Sequence, residues 1–473
     1  MFGTHKRQRL ILHLTWIAFF LTFVTWFNMA PFNTTLMRAL NLSHEQINIL
    51  MICNVALTIP ARIIIGSLVD HYGPRIVFTA ILVLAGLVSL QFSIAVSFEE
   101  CLASRLLMSI VGAGFVVGIK MIAEWFPPDK MGKAQGIYAG WGNFGAAAAL
   151  FSLPPIAVLF PEETGWRIAV AFTGILCLIW AVVYHRYAID FPESAVKFKV
   201  AVGHSIQVTS LKDLYLQILL LVPVYGAVGA FIWKLSGHPL RLLPPTLHNI
   251  LIGGCLIIFA FHVLECLRSN LPRLKENTPQ EDDYEFSQIF ILSLVYALTF
   301  GSELAVVSMF PEFLEEKFGL SVTMAGILGS SFAVMNLVTR PSGGWLSDLL
   351  GRRRTLVIMV SGSFISYMGM GEIDVHWPLW QVIGLGIACS IFRQAGNGAC
   401  FAAVPLIRKN MTGILAGMAG AYGSVGAVGF LTILGFVGEQ TFFNIIGGYA
   451  LIVLLSLCFL KSFKNLHTSF NSR

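Results

Sequence analysis

The stretch Ala61-Arg-Ile-Ile-Ile-Gly-Ser-Leu-Val-Asp-His-Tyr-Gly-Pro-Arg75 puts a guanidinium into an apolar run and closes that run with glycines, an aspartate and a second arginine. Arginine keeps its proton in a protein, and at a bilayer centre it costs roughly 2.5 to 3.5 kcal/mol on insertion scales. Arg62 therefore needs a local reason to be there. Composition says that hydrocarbon is the relevant solvent: 56% of the 473 residues are hydrophobic, 12% are charged and 37 are Phe, and the mean hydropathy is +0.76. Soluble domains do not have this balance.

Working outward, about fourteen apolar stretches of spanning length appear, near 11–31, 46–69, 76–97, 102–126, 133–157, 166–188, 214–234, 246–267, 286–312, 323–347, 355–372, 378–406, 411–437 and 442–461. The first follows Lys6-Arg7-Gln8-Arg9 but runs past Trp16 and Trp26 without a small-residue cleavage site, so it reads as a span rather than a secretory signal. Lys and Arg gather in alternate loops: the N-terminus, Arg75, Lys130/Lys133, Arg268/Arg273/Lys275, Arg352 to Arg354, Arg408/Lys409 and Lys461/Lys464. With both termini cytoplasmic in a plasma (inner) membrane, all of these loops fall on the inside. The +6 charge has that origin and implies no nucleic acid. The eight cysteines show no Cys-x-x-Cys spacing and read as apolar filling.

The opening stretch has a partner. Thr339-Arg-Pro-Ser-Gly-Gly-Trp-Leu-Ser-Asp-Leu-Leu-Gly-Arg-Arg353 matches Arg62 with Arg340, Gly66 with Gly344, Asp70 with Asp348, Gly73 with Gly351 and Arg75 with Arg353, all at an offset of 278 (340 − 62). A second pair, Ala139-Gly-Trp-Gly-Asn-Phe-Gly-Ala146 and Gly420-Ala-Tyr-Gly-Ser-Val-Gly-Ala427, repeats at 281 (423 − 142). The chain therefore reads as two homologous halves. Six-span halves joined by a linker are the plan of the major facilitator superfamily. The doubled Gly-x-x-x-Asp-x-x-Gly-x-Arg pattern resembles that superfamily's loop signature, which implies that Asp70, Arg75, Asp348 and Arg353 brace one transport state.

The expected organisation is an all-α polytopic membrane protein of the major facilitator fold. It has a cytoplasmic N-terminus (1–10), a first six-helix half (11–188), a linker (189–285) with two additional membrane helices (214–234 and 246–267), a second half (286–461) and a cytoplasmic tail (462–473). Arg62 and Arg340 each precede the loop aspartate by eight residues, which sets each about 12 Å deeper, near the middle of the hydrocarbon core. One arginine per half at equal depth suggests a facing pair, and like charges so placed repel unless an anion lies between them.

Ala139 to Gly145 closely resembles the nitrate signature of the nitrate/nitrite porter family, and Gly420 to Gly426 its second copy. The run Phe-Gly-Ser-Glu-Leu-Ala-Val-Val at 300–307 resembles the cyanobacterial permease branch of that family. The resemblance implies secondary active import of nitrate and nitrite, with Arg62 and Arg340 as the anion clamp. It further implies an aromatic wall of Phe23, Phe115, Tyr296 and Phe300. The signature glycines Gly140, Gly142, Gly145, Gly420, Gly423 and Gly426 let helix backbones approach closely. Asn143 reads as orienting the arginine or the anion, and Ser424 departs from the amide expected in the second copy.

Nitrate suits planar guanidinium forks, being flat and diffusely charged with three acceptor oxygens. Coupling residues stay open: Glu303 is a candidate protonatable group, Lys120 and Glu124 form an i, i+4 pair, and Arg393 adds positive potential or pairs with Glu303. No P-loop, His-Glu-x-x-His or Gly-x-Ser-x-Gly motif appears, so the sequence points away from ATP coupling and from enzyme chemistry. No cofactor or metal is expected. The partners implied are nitrate, nitrite, a co-transported proton or sodium ion and the lipid bilayer, with the monomer as the working unit. A porter for another small anion and a nitrate sensor that does not transport are the alternatives.

Overall fold

The computed structural model describes residues 2–126, 128–190, 208–237, 243–276, 285–407 and 412–461, and side chains are not described at 2–5, 63, 67, 70, 127–133, 276, 405 or 408–414. The expectations for Lys130, Lys133, Arg408, Lys409, Lys464 and the side chain of Asp70 thus lie outside the described residues. Every element among the described residues is helical. In chain order they are α1 (Phe2–Trp26), α2 (Asn33–Leu40), α3 (His44–Ala56), α4 (Thr58–Tyr72), α5 (Pro74–Ser93), α6 (Phe98–Val111), α7 (Gly114–Trp125), α8 (Pro128–Val158) and α9 (Glu162–Tyr187). A hairpin of α10 (Leu211–Ser236) and α11 (Pro245–Glu276) follows. The last group is α12 (Phe286–Tyr296), a π-helical turn (Ala297–Gly301), α13 (Ser302–Phe318), α14 (Val322–Val334), α15 (Asn336–Leu350), α16 (Arg352–Gly371), α17 (Leu379–Ala403), α18 (Thr412–Leu434) and α19 (Glu439–Ser456).

Local chemistry explains many of the boundaries. Ser43 and Gln46 form a reciprocal capping box on α3, and Ser97, Ser210 and Ser321 accept from the first-turn amides of α6, α10 and α14. Gly73 and Gly351 take φ of +83° and +90°, the left-handed region a side chain disfavours, and each separates two helices within the doubled motif. Leu57 interrupts α3 and α4, and Met335 interrupts α14 and α15, each lying five residues before an arginine of the repeated pair. The interruption at Leu57 is satisfied inside protein: the Thr58 amide donates to Ser109 Oγ at 2.9 Å and its hydroxyl donates to the Ser109 carbonyl at 2.6 Å.

Eleven described helical segments are long and apolar enough to cross a membrane. The stretches expected at 46–69, 355–372 and 378–406 are helical too, but are not among those eleven. Among the N-terminal helices α1 packs on α8 and α5 on α9; among the C-terminal ones α15 packs on α17 and α16 on α19. The two sets meet along α8 with α14 and along α3 with α18, while α10 lies against α18 and α12. Little of α11 is covered: only 6% of its apolar window is buried. All eight cysteines are free.

Candidate functional site

Arg62 on α4 and Arg340 on α15 come from different helix sets, are both 7% exposed, and meet at one aromatic ring. Each guanidinium carbon lies 5.6 Å from the centroid of Phe300. Arg62 Nη1 donates to the Gly420 carbonyl of α18, and Arg340 Nη2 donates to the Tyr296 hydroxyl at 2.9 Å. Arg62 Nε and Arg340 Nη1 are buried donors without a partner, and neither arginine forms an ion pair among the described residues. A buried unpaired donor costs about 1–3 kcal/mol, more when charged. Two such cations sharing one ring form a site that an oxyanion would satisfy.

The ring under them is held by a local irregularity. Tyr296 ends α12 and Phe300 falls in the π-helical turn, and their rings stack 5.0 Å apart at 7°. π-turns often mark functional sites because they re-aim side chains within a helix. Phe401 stands edge-on to Tyr296 at 4.8 Å and reaches Phe115 at 6.4 Å. Phe115 in turn contacts Phe19 at 5.6 Å, and Phe19 contacts Phe23 at 4.6 Å. The chain of rings thus crosses from one helix set to the other and runs on from Phe23 to Trp26 at 5.1 Å. Sequence reasoning missed Phe401 and Phe19, because neither belongs to a repeated motif.

The signature glycines show why a side chain is excluded. A Cβ at Gly142 would overlap the Phe19 ring, and one at Gly145 would come 2.8 Å from Phe23 Cβ. At Gly423 it would lie 2.6 Å from Phe300 and 2.8 Å from Tyr296, and at Gly426 it would strike the Ala297 backbone. Each copy therefore lets its helix run directly over an aromatic segment of α1 or of the π-turn. A Cβ at Gly140 would lie 3.9 and 3.8 Å from the Asn336 and Leu337 carbonyls of α15, an ordinary contact, and Gly420 supplies the carbonyl that Arg62 uses. That carbonyl contact has no signature in the side-chain pattern.

The remaining expected residues divide. Asn143 Nδ2 donates to Ala139 one turn back on its own helix at 2.7 Å, and Ser424 is fully buried with its hydroxyl unpartnered. Glu303 pairs with Arg393 at 3.0 Å and accepts from Asn397 at 2.9 Å and from Asn336 at 2.5 Å, one turn from Arg340. Lys120 and Glu124 lie 3.7 Å apart on one helix face. In the loops, Arg75 donates to the His185 carbonyl at the end of α9 (2.7 Å), and Arg353 to the Cys458 carbonyl just past α19 (2.9 Å). Asp348 accepts from Arg352, and the Arg75 amide donates to Asp190 at 2.8 Å.

Membrane-length helices that bring two buried arginines to one shared ring make a polytopic membrane protein with a cationic site inside it. The chain matches the Major Facilitator Superfamily over residues 15–274 and 292–469, and it belongs to that family. Within it, the chain is 42% identical over 469 residues to "Nitrate/nitrite transporter NrtP" of Nostoc punctiforme, covering 97% of this chain and 93% of that protein. It is 39% identical over 505 residues to the protein of the same name from Picosynechococcus sp., covering 98% and 94%. It therefore falls in the NrtP-type branch. Among solved structures, the partially occluded inward-open xylose transporter XylE of E. coli superposes with a TM-score of 0.64 at 15% identity, covering 97% of this chain and 98% of that one. The bacterial Spinster homologue in an inward-facing, occupied conformation gives 0.61 at 14%, covering 96% of each. Those two likenesses speak for the fold alone.

Proposed function

We propose that this protein imports nitrate and nitrite across the plasma membrane by alternating access, the anion being clamped between Arg62 and Arg340. The observation that carries the reading is the pair of buried guanidiniums from different helix sets, each with an unpartnered N–H, on the one Phe300 ring. A flat oxyanion fits between planar donors with a ring beside it. The names of the NrtP relatives supply the substrate class.

In this reading residues 11–188 and 286–461 are six-helix halves that rock about the site, with 214–234 and 246–267 as added crossings and both termini cytoplasmic. The far mouth, which carries His44 and Glu312, then faces outward. Phe23, Phe115, Tyr296, Phe300 and Asn143 border the path, while Asp70, Arg75, Asp348 and Arg353 brace the cytoplasmic side. Import against an inside-negative potential works against ~2.3 kcal/mol per charge per 100 mV, so each entering anion needs more than one co-transported cation or a counter-anion leaving in exchange. Glu303 is held between Arg393 and two amides, which favours a structural counter-charge over a proton carrier at that position.

The test is nitrate flux into liposomes, with proton and sodium gradients imposed separately. Arg62→Lys and Arg340→Lys should each weaken nitrate binding about 10- to 100-fold, since lysine replaces a two-pronged donor by a point charge. Unchanged transport by Arg62→Lys would overturn the clamp, and binding without accumulation under any gradient would favour a sensor.

A further inference from the structure

The α10–α11 hairpin has no counterpart in either repeated motif, and most of its surface is uncovered. Among its buried side chains is a lysine. Lys234, two residues before the end of α10, is 5% exposed. Its Nζ lies 3.1 Å from Glu45 Oε1 in the first turn of α3, 3.4 Å from the Gly435 carbonyl just beyond α18, and 4.3 Å from the centre of the Phe436 ring. Glu45 belongs to the N-terminal helices, whereas Gly435 and Phe436 belong to the C-terminal ones. A lysine on the hairpin thus joins the two sets at one mouth.

The surroundings are built for this contact. A Cβ at Gly435 would stand 3.0 Å from the ammonium and 2.5 Å from Asn48 Oδ1, so glycine leaves the lysine its place. Trp233 packs on Phe436 at 5.5 Å, fixing the end of α10 to the loop after α18. At the opposite end Asp213 is 4% exposed and accepts from the Ser287 amide at the start of α12 at 3.2 Å. Helix α10 is therefore tied near both of its ends to the C-terminal helices, and at this mouth it also packs against α3, where Lys234 pairs with Glu45. The same mouth is joined by Asn33 donating to Glu312 at 2.9 Å, by Asn48 donating to the Leu431 carbonyl at 2.9 Å, and by His44 beside Glu312 and Glu316 at 3.4 and 3.6 Å.

We propose that Lys234 is a gate residue of the transport cycle, and that the added hairpin is a strap which holds the far mouth closed through the Lys234–Glu45 pair. When the helix sets part at that mouth, the ammonium stays with Gly435 and Phe436 and the carboxylate leaves with α3. Opening takes the Glu45 carboxylate, itself 29% exposed, away from the buried ammonium and leaves Lys234 beside Gly435 and Phe436 without its counter-charge, so the pair biases the carrier toward the state closed at this face. The inference rests on the alternating-access reading but not on the identity of the anion.

The experiment reads accessibility rather than nitrate flux, so its failure is distinguishable from failure of the transport assignment. In a Cys458→Ser background, Ser308→Cys places a thiol on α13, where the Ser308 carbonyl accepts from Asn33 across the closed mouth at 3.1 Å. A charged, membrane-impermeant thiol reagent is applied from the far side to the full chain in liposomes. Lys234→Met and Glu45→Gln should each raise the labelling rate at least roughly fivefold, and the two together no further than either alone. Lys234→Arg, and the exchange Lys234→Glu with Glu45→Lys, should label slowly like the parent. Labelling unchanged in both single variants, or increases that multiply in the double, would overturn the proposal.

Discussion

Arg105 and Arg393 are both completely buried, one in each helix set, and they are satisfied in opposite ways. Arg393 has a carboxylate, Glu303 at 3.0 Å, itself steadied by two asparagine amides, and it lies over the Phe332 ring at 4.4 Å. Arg105 has no ion pair among the described residues: its Nη1 donates to Asn28 Oδ1 at 3.1 Å, its guanidinium rests 3.8 Å from the Phe92 centroid, and its Nε and Nη2 are unpartnered. Inside a membrane protein, an amide oxygen and the negative face of a ring can thus stand where an acid would otherwise be required. Arg393 also keeps an unpartnered Nε, but its charge is balanced by a built-in anion, whereas the charge of Arg105 is not. The central pair, Arg62 and Arg340, is of the second kind, and there the unused donors share one ring.

This contrast is sharpest at the glutamate. Glu303→Gln should destabilise the protein by about 3–5 kcal/mol, because it strands a buried guanidinium, while replacing Glu303 and Arg393 together by methionine should recover most of the loss. Thermal unfolding in detergent measures both, and equal losses in the single and double variants would mean that the pair is not a unit. Gly142→Ala, which drives a methyl group into Phe19, should cost about 1–3 kcal/mol; Gly423→Ala, against Phe300 and Tyr296, should cost a similar amount and in addition weaken nitrate binding, since only the second disturbs the ring beneath the arginines. Arg105→Met should cost less than either, about 1 kcal/mol, as it removes one hydrogen bond and one ring contact but no ion pair. A loss as large as that of Glu303→Gln would show that Arg105 is not the open unit it looks to be.

The smallest effect belongs to the far mouth. The hydrogen bond to Glu312 raises the His44 pKa above its ordinary 6.5, with Glu316 and Glu439 adding to it and partial burial opposing. A raised value means that protonated His44 supports closure fully below its ordinary pKa, and that this support is lost as pH rises through the shifted one. Labelling at the mouth should therefore increase with pH in the parent by roughly twofold at most, and His44→Gln should remove the dependence.

Much of this architecture was legible in the chain. The duplicated stretches pair Arg62 with Arg340, and the structure has each five residues past a helix break and both beside Phe300; the glycines at 142, 145, 423 and 426 announced close approach. What was not legible shows the limits of pattern. Phe401 joins the ring path by position alone, and the Gly420 carbonyl partners Arg62 through backbone, which any residue carries. Asn143 looked like a ligand-facing amide, yet its described hydrogen bond is to its own helix. Glu303 and Arg393 lie ninety residues apart in the chain, so the sequence offered their pairing only as one of two alternatives; how the bundle closes, which helical spacing does not reveal, brings them to 3.0 Å.

The interruptions at Leu57 and Met335 have a mechanical corollary. Each arginine lies five residues past its interruption and each positive-φ glycine sixteen, or about 7.5 Å and 24 Å along the axis at ~1.5 Å per residue. If α4 or α15 pivots at its break, the loop end travels about three times as far as the guanidinium. Both copies have the same gearing, so a small adjustment around a captured ion would be magnified equally at two places on the opposite face.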